Sequence, residues 1–155
     1  MHKALIFALA GAALVFFITT RPAGAANSCV GLSTTPISFG AYNPSSPTDL
    51  IGVGSITYTC SLAAAIVVQI SAGNSLTCTA RYMLAGTARL NYNLYIDAAH
   101  TLVWGTTTPG CGTTRTDTVL GNTAQTDTIF GLIPQGQNGS PSGTYSDSLT
   151  VTITF

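Results

Sequence analysis

The sequence predicts an all-β domain, a sandwich that lacks its own closing strand and accepts one from another chain. Glutamate is absent from the 155 residues and the single lysine is Lys3, whereas Thr, Ser, Gly, Val and Ile are frequent, as in strands and turns. Short apolar runs recur between Gly- and Pro-rich turn signals, which is typical of sandwiches and barrels. The third observation is the pattern of the C-terminal segment.

Residues 148–155, the C-terminal segment, alternate strictly between apolar and hydroxyl side chains. Period-two alternation in β-branched residues predicts a half-buried strand. Its apolar face consists of Leu149, Val151, Ile153 and Phe155. No turn or partner strand follows Phe155, so we expect this face to border a groove that accepts a strand from a partner.

Eight strands are predicted along the chain: residues 35–40, 53–61, 65–71, 90–96, 102–105, 118–120, 127–133 and 148–155. The first ends at Gly40, before the turn-rich residues 43–47. The strand at 90–96 has the clearest internal alternation, with Leu90 and Leu94 on its apolar face. No repeat or linker interrupts this series, which indicates one domain over residues 26–155.

Residues 1–25 have the features of a secretion signal. A positive start at Lys3 precedes the apolar run 4–19, and the small residues 23–25 form a signal-peptidase pattern, so we expect cleavage after Ala25 or Ala26. A retained membrane anchor is the alternative, but the apolar run is short for a membrane span. The mature chain is therefore predicted to be exported without a span.

The charges of the mature chain are few. Its arginines and aspartates number three and five, which gives a net charge of −2 with His100 neutral. No cluster of cations is available for nucleic acid or anionic lipid. The composition therefore excludes nucleic-acid binding and favours a structural or binding role.

Four cysteines, Cys29, Cys60, Cys78 and Cys111, follow the predicted signal. Two disulfides are expected in an exported chain, and the sequence allows three pairings. The non-interleaved pairing, Cys29–Cys60 and Cys78–Cys111, is favoured, and each loop of about 30 residues would add roughly 3–4 kcal/mol. Zinc binding is the alternative, but no Cys-x-x-Cys pair is present.

Catalysis has little support in the sequence. His100 is the only histidine after the predicted signal, and with Asp97 and a serine it could form a triad only in principle. No Gly-x-Ser-x-Gly elbow accompanies it, and residues 97–101 are interpreted as a surface turn. The aspartates lack calcium-loop spacing. The sequon at Asn138 is interpreted as a turn, and we expect neither an enzyme nor a cofactor.

Six stretches resemble the spore coat protein U domain family: ISFGAYNP (37–44), ITYTC (56–60), LNYNLYIDAA (90–99), VWG (103–105), FGLIPQGQ (130–137) and GTYSD (143–147). They occur in the family's order and cover essentially the whole mature chain. Each stretch alone is a weak signal, but together they are specific.

The resemblance implies a subunit of archaic, Csu-type chaperone–usher pili. Such subunits are similar to immunoglobulin-like sandwiches that lack the final strand and are completed by donor-strand complementation. A periplasmic chaperone supplies the strand first, and a neighbouring subunit replaces it after passage through the outer-membrane usher. The acceptor groove is expected at Leu149, Val151, Ile153, Phe155 and Phe39. Cys29–Cys60 resembles the family's disulfide.

One departure from the family pattern concerns the donor segment. Rod-forming members carry alternating apolar residues between the cleavage site and the first cysteine, whereas only residues 26–28 precede Cys29 here. At about 3.3 Å per residue, three residues are too short to fill a groove. We therefore expect a subunit that accepts a strand without donating one, at the tip of the pilus or outside the fibre.

Three functions remain open from the sequence. The first is a structural or adhesive pilus subunit of a Gram-negative surface, supporting attachment and biofilm formation. The second is a lectin-like sandwich that binds glycans through Trp104 or Tyr95. The third is a secreted, non-fimbrial coat or matrix protein with the same domain.

Overall fold

The computed structural model describes residues 28–155, which contain strands and loops and no helix. The predicted signal peptide, residues 1–25, and the cleavage positions Ala25 and Ala26 lie outside the described residues. Residues 28–155 contain no helix that is long and apolar enough to cross a membrane. The all-β class predicted from the sequence is confirmed.

Nine strands follow one another along the described chain. They are β1 (Cys29–Thr35), β2 (Leu50–Cys60), β3 (Ala64–Ile70), β4 (Tyr82–Ala85), β5 (Ala88–Asn91), β6 (Asn93–Tyr95), β7 (Arg115–Val119), β8 (Ala124–Ile133) and β9 (Val151–Thr154). All of their pairings are antiparallel. Hairpin-type and longer connections can therefore join them without helical crossovers.

Two main sheets form a sandwich, accompanied by a small hairpin. The larger sheet has the order β1-β2-β8-β6, the smaller has β7-β3-β9, and β4 pairs with β5. The central β2–β8 pair runs from Leu50 opposite Ile133 to Thr59 opposite Ala124. Because alternate residues of a strand face opposite sides, each sheet presents one apolar face to the other.

The core lies between these two faces. Ile56 and Tyr58 of β2 and Ile66 and Val68 of β3 are fully buried in one apolar cluster. Trp104 is also fully buried, and its indole N–H donates to the carbonyl oxygen of Val68 at 3.0 Å. The indole therefore fills the core without leaving its polar atom unpaired.

Arg81 is the largest charged residue buried within the described chain, and its side chain is fully enclosed. Its guanidinium donates, at 2.8–3.0 Å, to the carbonyl oxygens of Ile70, Ser71, Cys78 and Trp104 and to the amide oxygen of Asn93. The planar fork of arginine can reach several acceptors at once. Arg81 thereby joins the end of β3 to two loops and to β6.

Both disulfides are present, as the sequence predicts. Cys29–Cys60 joins the first residue of β1 to the last residue of β2, which are direct neighbours in the sheet. Cys78–Cys111 joins the loop after β3 to the loop before β7. The second disulfide and Arg81 thus fasten the same end of the sandwich.

The predicted first strand at 35–40 is wrong in position. The structure places β1 at Cys29–Thr35, and residues 36–43 form no strand. Pro36 has no N–H to donate to a ladder, and Gly40 has a φ of +71°, outside the β region. The alternation of Ile37 and Phe39 arises because both side chains enter the core from an irregular segment.

The strand predicted at 90–96 is divided at Tyr92, so that β5 pairs with β4 and β6 pairs with β8. The Tyr92 N–H donates to the carbonyl oxygen of Arg81 at this break. Residues 102–105 form only isolated bridges, Tyr95 with Val103 and Trp104 with Thr113. The sequence analysis also missed β4, which is short and lacks alternation.

Replacement of Arg81 by leucine should destabilise the protein strongly. Four buried carbonyl groups would lose their donor, and an unsatisfied buried group costs about 1–3 kcal/mol. We expect the free energy of unfolding in urea to fall by at least about 3 kcal/mol. The exposed Arg89, whose guanidinium lies 4.3 Å from the Tyr82 ring centroid, provides the control. Arg89→Leu should cost no more than about 1 kcal/mol, and equal losses for both variants would contradict this role.

Candidate functional site

An open groove runs along one edge of the sandwich. It has two connected lobes, of about 390 and 560 Å³. One wall is formed by residues 34–44 and the other by residues 140–151. Its floor consists of buried apolar residues, namely Ile70, Met83, Leu90, Leu94, Ile129 and Ile133.

The wall formed by residues 140–151 leads into β9, and we call the two together the β9 wall. Its β9 part has an apolar row next to the groove and a backbone edge that is not paired within the described chain. β9 pairs with β3 on one side, and within residues 28–155 no strand pairs with its other side. Val151 and Ile153 lie opposite Ile70 and Val68. These two β3 residues are fully buried, whereas Val151 and Ile153 are only half-buried. Apolar surface next to the core therefore remains uncovered at this edge.

The opposite wall is an irregular segment that touches the sheet through side chains. Within the described chain, no backbone hydrogen bond joins residues 36–42 to a neighbouring strand. The Tyr42 hydroxyl donates to the carbonyl oxygen of Pro134 at 2.9 Å and accepts from the Gln137 N–H at 2.9 Å. Because its backbone groups are not paired, this wall can also hydrogen-bond to a strand lying in the groove.

Asp147 is the charged group of the groove wall, just before β9. Its carboxylate accepts from the Tyr92 hydroxyl at 2.7 Å and from the Asn74 N–H at 2.8 Å. Burial, together with this hydrogen bond to Asp147, raises the pKa of Tyr92. The phenol therefore stays protonated, and its hydrogen bond joins Tyr92 to Asp147 of the 140–151 wall.

The structure brings together three of the five residues predicted to form the acceptor groove. Phe39, Leu149 and Val151 line it, whereas Ile153 continues the β9 row beyond the two lobes. Phe155 follows β9 and is 57% exposed.

Several further residues that line the groove were not predicted as part of it: Ile37, Met83, Tyr92, Leu94, Ile129 and Tyr145. Alternation placed Tyr92 and Leu94 on the apolar face of the predicted strand at 90–96, and Ile129 lies within the strand predicted at 127–133. No sequence signal distinguishes a core position beside an open edge from an enclosed one, because that depends on which strands are neighbours.

The Asp97–His100 segment forms a turn. The Asp97 carboxylate accepts from Leu102 N–H at 2.7 Å and from the N–H and hydroxyl of Thr101, and these bonds lower the pKa of Asp97. The His100 ring packs edge-on against Tyr95, with ring centroids 5.1 Å apart. In the part of the chain described, no group of three or more His, Cys, Asp or Glu residues could hold a metal ion.

A polar cluster links the two sheets. Arg115 Nε of β7 lies 3.0 Å from Asp117 Oδ1 and 3.1 Å from Asp127 Oδ1 on β8. The Tyr58 hydroxyl lies 3.1 Å from Asp127 Oδ2 and 3.2 Å from Asp117 Oδ2. Arg115 thus forms ion pairs with two carboxylates, those of Asp117 and Asp127. Burial, reinforced by Asp117 against the opposing effect of Arg115, raises the pKa of Asp127.

Fold and site together define a disulfide-bonded β-sandwich with an open, apolar edge. The sequence model of the Spore Coat Protein U domain matches residues 15–152, and the chain belongs to this family. It is accordingly a structural protein and not an enzyme. "Protein U" of Myxococcus xanthus is 33% identical over 145 residues, covering 85% of this chain and 78% of that protein.

The fold is also similar to a solved structure, that of the CsuC–CsuE chaperone–tip adhesion subunit pre-assembly complex from archaic chaperone–usher Csu pili of Acinetobacter baumannii. The match has a TM-score of 0.53 and 21% identity, and it covers 84% of this chain. This chain spans 40% of the length of the chain that it matches. The likeness confirms the immunoglobulin-like fold class that the sequence predicted.

The raised pKa of Asp127 predicts how stability depends on pH. The folded protein binds a proton at a higher pH than the unfolded chain does, so the free energy of unfolding should increase as the pH falls from 7 towards about 4. The lowered pKa of Asp97 acts in the opposite direction, but only near and below its ordinary value. Asp127→Asn should therefore flatten the dependence between pH 4.5 and 7, as measured by urea unfolding. Parallel curves for the two proteins would contradict the assignment.

Proposed function

We propose that this chain is a subunit of a chaperone–usher pilus and completes its fold by accepting a strand in the groove. The observation that carries the proposal is the apolar row of β9, half-buried beside a fully buried core and next to an unpaired backbone edge. A strand laid along β9 would pair with that edge and place alternate side chains in the adjoining lobe, which Leu149 and Val151 line.

The energetics favour a strand as the occupant. If four or five apolar side chains fill the groove, at roughly 1.5–3 kcal/mol each, their burial contributes about 6–15 kcal/mol. That is comparable with the whole stability of an ordinary domain. The subunit without a strand is therefore marginally stable or prone to aggregate through its open edge.

The proposed route begins with export by the signal peptide to the periplasm, where a chaperone supplies the first strand. The subunit then passes the outer-membrane usher and receives its strand from a neighbouring subunit at the cell surface. The similar Acinetobacter baumannii structure is a complex of a chaperone with a tip adhesion subunit. That likeness supports a chaperone as partner and a position at the tip. Attachment and biofilm formation are the roles that we propose for such a subunit.

A non-fimbrial coat or matrix protein is the second candidate, favoured by the description of the matching family, the Spore Coat Protein U domain. Fractionation of the producing cells separates the two: a pilus subunit sediments with sheared fibres, and a coat protein does not. The lectin-like alternative loses Trp104 as a sugar platform, because this residue is fully buried with its N–H bonded to Val68. Tyr95, the other aromatic residue of that alternative, is half-buried, and its ring packs against His100.

Addition of a donor strand should stabilise the protein. A suitable probe is the alternating peptide Lys-Thr-Val-Thr-Val-Thr-Val-Thr-Lys, whose valines would face the groove. At 100 times its dissociation constant, it should raise the free energy of unfolding by about 2.7 kcal/mol in urea titrations. A control peptide of the same composition, with the three valines adjacent, should have little effect. Identical midpoints with and without the alternating peptide would reject the proposed function.

A charge on the β9 wall should block the groove. Val151 faces the groove and Thr152, its neighbour, is exposed on the other face of β9. Val151→Asp should weaken binding of the alternating peptide by at least about tenfold, because the carboxylate would be buried without a partner. Thr152→Asp is the matched control and should bind nearly as wild type does. Fluorescence anisotropy of the labelled peptide measures both, and equal affinities of the two variants would contradict this placement of the site.

A further inference from the structure

Three glycines lie together on the core-facing side of the β2–β8 pair. Gly52 and Gly131 are directly opposite each other, and Gly54 follows on the same face of β2. Further along β2, the same face carries large buried side chains such as Ile56. Glycine weakens a strand and marks places where another part of the protein approaches closely. We call these three residues the glycine socket.

Ile37 and Phe39 occupy the glycine socket. A Cβ on Gly131 would lie 2.6 Å from Phe39 Cζ, and a Cβ on Gly52 would lie 2.9 Å from both Ile37 Cγ2 and Phe39 Cδ1. Such distances are shorter than van der Waals contact, so no larger residue fits there without displacing these side chains. The absence of three side chains is therefore what allows the irregular wall to sit against the sheet.

The position of this wall depends on the socket. Residues 36–42 have no backbone hydrogen bond to a strand within the described chain, and apart from the Tyr42 hydroxyl they are held by Ile37 and Phe39. Packing of Ile37 and Phe39 in the socket, together with the hydrogen bonds of the Tyr42 hydroxyl, thus determines how far this wall stands from β9.

Ile37 and Phe39 also lie where the two lobes of the groove meet. Both line the two lobes, and so do Met83 on the floor and Tyr145 on the opposite wall. A strand that extends from β9 along the 140–151 wall into the second lobe therefore passes Phe39 and Tyr145. We propose that the glycine socket, by seating Ile37 and Phe39, sets the width of the groove and determines whether a strand can be accepted.

This inference rests on the proposed function. It predicts which group moves when a side chain is added to the glycine socket. The floor of the socket is backbone, whereas Phe39 is half-buried and has the groove on its other side. A methyl group on Gly131 should therefore push the ring into the groove, where it would narrow the path of the strand while the sandwich stays folded.

The test compares single and double variants by their affinity for the labelled alternating peptide. Gly131→Ala should bind it at least about tenfold more weakly than wild type. Phe39→Leu removes the ring atoms that a Cβ on Gly131 would meet, so the double variant Gly131→Ala/Phe39→Leu should recover most of the affinity. Gly139→Ala is the control, since a Cβ there meets no atom within 4 Å and no positive φ is required.

The outcomes separate this inference from the proposed function. Weak binding by Gly131→Ala with recovery in the double variant supports the socket. Wild-type affinity in Gly131→Ala, or no recovery in a folded double variant, overturns it and leaves the proposed function intact. Absence of peptide binding by wild type rejects both. If Gly131→Ala does not unfold cooperatively, then Gly52→Ala is tested in its place by the same criteria. A Cβ on Gly52 would meet only side-chain atoms, those of Ile37 and Phe39.

Discussion

The structure depends on the pairing of β9 with a single neighbour. A strand has backbone donors and acceptors on both edges, and in a sandwich one of its faces must be covered by the opposite sheet. β9 meets these requirements only towards β3, where Val151 lies opposite the buried Ile70. Its edge away from β3 is unpaired within the described chain, and its apolar face opens into the groove. The shape of the site follows from this one-sided pairing.

The remainder of the sandwich is strongly cross-linked, which explains how the groove can stay open. Cys29–Cys60 fastens β1 to β2, and Cys78–Cys111 together with Arg81 fastens the loops around the end of β3. Arg115 connects the two sheets through carboxylates on β7 and β8. These polar and covalent links involve no residue of the 36–42 wall, so the frame on which the two walls are built does not rely on a bound strand.

The family to which the chain belongs and the geometry of the groove both indicate a structural role. The chain is a structural protein of the Spore Coat Protein U family. The groove offers apolar lobes and, within the described chain, unpaired backbone edges, a combination that suits the alternation of a strand more than any particular side chain. The glycine socket adds selectivity of another kind, because it controls the space available instead of the chemistry of contact.

Much of the fold could be predicted from the local pattern of apolar and polar residues in the sequence. Alternation located β2, β3, β8 and β9 to within a few residues, because a half-buried strand must place apolar side chains at every second position. The composition indicated an all-β chain, and the predicted export signal together with four cysteines indicated two disulfides, which the structure contains. The apolar row of β9 was likewise visible in the sequence, including Leu149 and Val151 of the groove wall.

Tertiary structure decided the rest, because alternation reports which side chains share a face but not which strands become neighbours. It made residues 36–43 an irregular segment, since Pro36 cannot join a ladder and three distant glycines leave room for Ile37 and Phe39. It divided the run at 90–96 at Tyr92, and it enclosed Arg81 among carbonyl oxygens from separate loops. Each of these features arises from contacts between residues far apart in the chain, which no short window of sequence contains.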